Sequence, residues 1–95
     1  MSQKGVTPLV IDTREPAEYA QSHVPGAINI STMQFMSGHI PSQLQGVAKD
    51  QPIILYCRSG QRSNTCLQML RMHGFTDLTN GINEHHVAKL LRGTV

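Results

Sequence analysis

Short apolar runs alternate along the chain with stretches whose apolar residues recur at helical spacing. Leu9-Val10-Ile11, inside Pro8 to Asp12, is brief, β-branched and ended by a carboxylate, which predicts a strand buried on both faces. Thr13 or Arg14 closes a turn, and Arg14 to Ala20 predicts a short helix. Pro16 falls in its first turn, where a missing N–H costs nothing. Pro25-Gly26 reads as a turn and Ala27 to Ile30 as a second strand. From 32 to 48, Met33, Phe35, Met36, Ile40, Leu44 and Val47 keep helical spacing only in part. Gly38, Pro41 and Gly46 interrupt them, so two short helices broken near Ser37-Gly38 are expected.

Pro52 to Cys57 is apolar throughout, which predicts a central strand, and a helix follows as far as His73. Cys66, Met69 and Leu70 mark its buried face, and Gly74 stops it. Phe75 to Thr79 reads as an edge strand, Asn80-Gly81 as a turn and Ile82 to Leu91 as a final helix. Strands separated by helices with short connections predict a three-layer α/β domain, with a central parallel sheet flanked by helices.

A length of 95 residues suits one domain over 1–95. The net charge is only +2 and apolar residues make up 39%, so a disordered chain is not expected. Eight Lys and Arg against six Asp and Glu form no basic stripe, and nucleic acid is not an expected partner. The longest strongly apolar run, Ile53-Ile54-Leu55, is far short of the roughly 17–25 residues that span a bilayer, so membrane insertion is not expected either. Met1 to Gly5 has no apolar segment behind it, so no signal peptide is expected. The expected compartment is the cytoplasm, or the periplasm if the mature chain follows a removed leader. Two cysteines cannot build a disulfide framework; they point to a reduced compartment or a reactive thiol.

Functional groups of open α/β sheets gather beyond the carboxyl ends of the strands. Cys57 lies there, followed by Arg58-Ser59-Gly60-Gln61-Arg62-Ser63 and then a helix. The amides of that loop, with a helix N-terminus behind them, would cradle an anion and lower a thiol's pKa. Arg58 and Arg62 are cations suited to oxyanions. Ser63 and Ser59 could donate hydrogen bonds to sulfur, and Gly60 allows a backbone conformation closed to other residues. Spacing alone leaves two readings open, a reactive exposed thiol and a small packing residue. Cys66, on the packed face of a helix, is expected to be a buried core residue.

Cys57-Arg58-Ser59-Gly60-Gln61-Arg62-Ser63 resembles the active-site loop of the rhodanese (sulfurtransferase) family, written C-R-x-G-x-R-S. Ile11-Asp12-Thr13-Arg14-Glu15, Glu18-Tyr19 and His23 to Ile30 resemble a second family motif upstream, and Gly74-Phe75 and Asn80-Gly81 resemble its tail. The resemblance runs from residue 9 to about 90 and is nearest to the small single-domain, phage-shock-type form. It implies a rhodanese-like fold and a Cys57 persulfide that carries sulfane sulfur from thiosulfate or a related donor to cyanide or a thiol. Arg58, Ser59, Gly60, Gln61, Arg62 and Ser63 would bind substrate; Asp12, Arg14 and His23 would support the site. The implied partners are small sulfur-containing anions, thiophilic acceptors, and a sulfur-carrier or thioredoxin-like protein. No cofactor and no metal are implied. Ser22 and Asn80 stand where the family often has glycine, and His85 where it often has tryptophan.

Other assignments are weaker. The histidines lack zinc spacing, and Asn83-Glu84-His85-His86 has the wrong order for a metalloprotease motif. His23 as a general base to Cys57 competes with a structural role before Pro25-Gly26. Glu15 and Glu18 are expected to be exposed or paired on the first helix, and Met33, Met36, Met69 and Met72 to pack inward. Four residues separate Cys57 from Arg62, one fewer than in the phosphatase loop C-x5-R, so a smaller amide ring suits sulfur better than phosphate. A catalytically silent interaction module is the rival of a different class, and the presence of Cys57 weighs against it.

Overall fold

A computed structural model describes residues 7–92; the reading of Met1 to Gly5 lies outside them. Strands β1 (Leu9–Asp12), β2 (Ile28–Asn29), β3 (Ile53–Tyr56) and β4 (Leu78–Ile82) pair in parallel in the order β2-β1-β3-β4. All four residues of β3 are buried, because an interior parallel strand covered on both faces has no side left for polar groups. Side chains alternate across the sheet. Ile11, Ile53 and Leu55 enter one core with Phe35, Leu44, Cys66, Leu67, Leu70 and Phe75. Val10, Ile54 and Tyr56 enter a second with Val24, Ala27 and Val87. This is the expected three-layer α/β architecture, with a parallel sheet between helical layers.

The helices are α1 (Pro16–Gln21), α2 (Thr32–Phe35), α3 (Gln61–Met72) and α4 (Glu84–Arg92). Pro16 opens α1, and Glu18 reaches back to the Glu15 amide at 2.9 Å as half of a capping box. The region 32–48 does divide near Gly38. Its second piece is a 3-10 turn at Ser42–Leu44 rather than an α-helix.

Three expectations need correction. The fourth strand is Leu78–Ile82, not Phe75 to Thr79, and Asn80-Gly81 lies inside it rather than in a turn. Pairing with β3 overrides the local turn preference of Asn-Gly. Leu55 pairs with Asn80 and Tyr56 with Ile82, so Gly81 is the extra residue of a bulge. A Cβ there would collide with Val87 Cγ2 and come within 2.8 Å of Ile54 Cγ2; this glycine allows a close approach of α4 to the sheet. Met33, Met36 and Met72 are exposed and of these four methionines only Met69 is half-buried: Met33 and Met36 flank the short α2, whose buried residue is Phe35, and Met72 ends α3. On α3, Leu67 joins Cys66 and Leu70 on the buried face, while Met69 sits at its edge.

Candidate active site

β3 delivers its last residues to the carboxyl edge of the sheet, and Cys57 follows. The Cys57 amide donates to the Ile82 carbonyl at 3.1 Å, which ties the start of the loop to the bulged end of β4. Gly60 has φ +95°, a left-handed conformation that strains any residue with a Cβ. In that conformation its N–H points back and donates to Cys57 Sγ at 3.1 Å. The Ser63 hydroxyl lies 3.6 Å from the same sulfur. α3 starts at Gln61, so its first-turn amides open toward the sulfur.

Two effects compete for the Cys57 proton. Burial raises the thiol's pKa; the Ser63 amide and hydroxyl and the amides of Gly60 and Ser59 lower it, and the net result is about 7. For Cys66 burial wins and the pKa rises to about 11. Cys66 is the buried core residue expected. Cys57 is not the exposed thiol expected, since its relative exposure is 2%. The loop folds over the sulfur, and Cys57 lines a cleft of about 320 Å³. Arg14, Ser22, Arg58, Asn83, Glu84 and His85 form the walls of that cleft.

The two arginines of the loop separate in role. The Arg62 guanidinium donates from Nη1 to Glu18 Oε1 at 3.0 Å, and this bond holds the Glu18 carboxyl at about 2. Arg58 approaches Glu18 only to 3.9 Å, and its side chain is 76% exposed. Arg62 therefore ties α3 to α1, and Arg58, at the long limit of ion pairing with Glu18, lines the cleft with an exposed side chain. Gln61 and Ser59 are exposed on the loop, Ser59 contributing its amide.

Asp12 and Arg14 form a buried pair at 2.7 Å, with Arg14 Nε also donating to Asp12 Oδ1 at 2.9 Å. That bond to Asp12 raises the Arg14 pKa. Arg14 continues to the Ser22 carbonyl at 2.6 Å and to Glu84 at 3.4 Å. The Tyr56 hydroxyl donates to Asp12 Oδ2 at 3.1 Å and accepts from the Val24 amide at 3.1 Å. One network thus joins β1, β3, the Ser22–Val24 segment and α4 beside the cleft. His23 stacks on Tyr19 at 3.7 Å, and its Nδ1 lies 2.8 Å from the Tyr19 carbonyl. That placement suits support rather than a base.

Glu18 and Asn80 were not marked as site residues by the sequence. Glu18 meets Arg62 only once α1 and α3 pack together, from 44 residues away. Asn80 likewise reaches Gly60 and Ser63 only when β4 joins β3.

Fold and site define a class: an α/β domain that holds a low-pKa cysteine in an amide cradle at the carboxyl edge of its sheet. The sequence matches the Rhodanese-like domain family over residues 1–87, and the chain belongs to that family. It is 35% identical over 72 residues to a sulfurtransferase of Allochromatium vinosum, covering 76% of this chain and 63% of that one. A putative sulfurtransferase of Bacillus subtilis is 35% identical over 66 residues, covering 70% and 59%. The chain therefore spans less than two thirds of either relative. Among solved structures, a rhodanese with anions from E. coli is similar at a TM-score of 0.73 and 29% identity, over 86% of this chain and 93% of that one.

Proposed function

We propose that this domain is a sulfurtransferase of the small, phage-shock-like type, moving sulfane sulfur through a persulfide on Cys57. The observation that carries the reading is the Cys57 sulfur held by the Gly60 amide at the head of α3, with its pKa brought to about 7. A thiolate is the nucleophile of sulfur chemistry, and near neutral pH about half of such a group is ionised. In the first step the Cys57 thiolate attacks the outer sulfur of thiosulfate. An Sγ–S bond forms, the donor's S–S bond breaks, and sulfite leaves with the electron pair. In the second, cyanide or a thiolate attacks the terminal sulfur and Cys57 departs as thiolate. Electrons and atoms balance within the two substrates, so the reaction needs no external oxidant or reductant.

Arg58 at the cleft mouth meets the donor's sulfonate end, and the loop amides hold the persulfide. Acceptors are small thiophiles or the thiol of a sulfur-carrier or thioredoxin-like protein. The likeness to sulfurtransferases and to a rhodanese with anions supports this reading. Intact-mass measurement after incubation with thiosulfate tests it. One added sulfur atom is expected, removed by cyanide and absent from Cys57→Ser. Addition retained in Cys57→Ser, or none with any sulfane donor, overturns it.

A further inference from the structure

Ser63 carries one hydroxyl proton, and two acceptors stand beside it. Asn80 Oδ1 lies 2.7 Å from Ser63 Oγ, and Cys57 Sγ lies 3.6 Å away. The orientation of the Asn80 amide is settled by its other contacts. Its Nδ2 donates to the Gly60 carbonyl at 3.0 Å, and its Oδ1 accepts the Ile82 amide at 3.0 Å. An amide oxygen has no proton to give, so the Ser63 hydroxyl must donate to Asn80. In this arrangement Ser63 offers the neutral thiol only a lone pair, and the pairing suits a Cys57 S–H donating to Ser63; the hydroxyl favours the thiolate only in so far as it turns from Asn80 to the sulfur. When Cys57 ionises, the hydroxyl can turn to the sulfur only by giving up its short bond to Asn80.

We propose that Asn80 is a positioning residue that competes with the Cys57 thiolate for the Ser63 proton and so holds the nucleophile's pKa above the value the loop would otherwise set. Asn80 acts through Ser63 and does not touch the sulfur. The inference rests on the reading of Cys57 as the nucleophile. Its chemical sense is that a thiol attacks best when its pKa lies near the ambient pH, because a more acidic thiolate is a weaker nucleophile. A fully donating serine would trade reactivity for ionisation. Once the persulfide forms, Sγ bears no charge, and the Ser63–Asn80 bond stands unopposed.

Charged and titratable groups around the sulfur are Arg58 on the loop and Arg62 on α3, Arg14, Glu84 and His85 around the cleft, Glu18 beyond the arginines, and Cys66 within α3. None of them is changed by substitution at Asn80 or Ser63; because Asn80 also holds the Gly60 carbonyl, whose amide donates to the sulfur, the hydroxyl is reported by the difference between the Asn80 substitution in the two Ser63 backgrounds.

The experiment is the pH dependence of Cys57 alkylation, read by peptide mass, in the natural chain, Asn80→Ala, Ser63→Ala and the double variant. Asn80→Ala is expected to lower the midpoint by about one pH unit, the scale of one hydrogen bond to a charged group. In the Ser63→Ala background the same substitution is expected to move it by less than half as much. Equal shifts in both backgrounds, or a midpoint that stays or rises in Asn80→Ala, overturn the proposal. If Asn80→Ala does not fold, Ser63→Ala alone decides. A small change supports a hydroxyl committed to Asn80, whereas a rise of a full unit or more means that Ser63 donates to sulfur in the natural chain. These titrations need no sulfur donor, so they stand or fall separately from the proposed transfer reaction.

Discussion

At Cys57 burial works against ionisation while hydrogen bonds from the loop work for it, and the hydrogen bonds win. At Cys66 nothing of comparable strength opposes burial. The two thiols should therefore separate in a pH titration with a small alkylating reagent. Labelling of Cys57 is expected to rise through about pH 7 and level off above it, with Cys66 unreacted across that range. A bulky reagent should label Cys57 more slowly, because the residue is almost wholly buried beside the cleft. The sign of the linkage follows from the same shift. The folded pKa lies below the ordinary 9, so the thiolate's contribution to stability is complete above pH 9 and disappears as pH falls through 7.

Glu18 connects secondary-structure elements as well as capping one. Its Oε1 accepts the Glu15 amide within α1 and the Arg62 guanidinium from α3. Arg62 is thus engaged inside the protein, while Arg58 has no contact with Glu18 closer than 3.9 Å. The two arginines should then fail differently when replaced. Arg58→Ala is expected to raise KM for thiosulfate and lower kcat/KM roughly ten- to hundredfold, the worth of a charge-assisted contact, with little change in melting. Arg62→Ala is expected to lower both activity and melting temperature, since it frees α1 from α3. Steady-state kinetics and thermal melts on the two variants check this. An Arg58→Ala enzyme with unchanged thiosulfate turnover would move the donor from thiosulfate to a thiol persulfide.

Across the whole molecule, the buried pair of Asp12 and Arg14 is where the layers meet the site. Asp12 accepts from Arg14 and from Tyr56 on the adjacent strand, and Arg14 reaches the Ser22 carbonyl and Glu84. Removing Asp12 would leave the buried guanidinium with only the more distant Glu84 carboxylate, and breaking a buried pair costs up to about 3–5 kcal/mol. Asp12→Ala is therefore expected to be among the most damaging single changes, measured as a fall in denaturant midpoint. Because Arg14 lines the cleft, it should also loosen the site in whatever fraction still folds.

Residue order alone carries the strands and their cores, since β1 and β3 are written as apolar runs that no solvent-facing element could use. It also carries the thiol's cradle, because Cys57, Gly60 and the start of α3 lie within one loop, where short-range geometry decides which amides face the sulfur. Long-range pairing supplied what local preference misread. Asn80-Gly81 has the chemistry of a turn, yet backbone hydrogen bonds to β3 make it a bulged strand, and that register brings Asn80 to Ser63. The same folding closes the loop over Cys57 and turns an expected exposed thiol into a buried one. Glu18 meets Arg62 from 44 residues away. Such contacts depend on which elements become neighbours, and no local pattern of polarity encodes a neighbour.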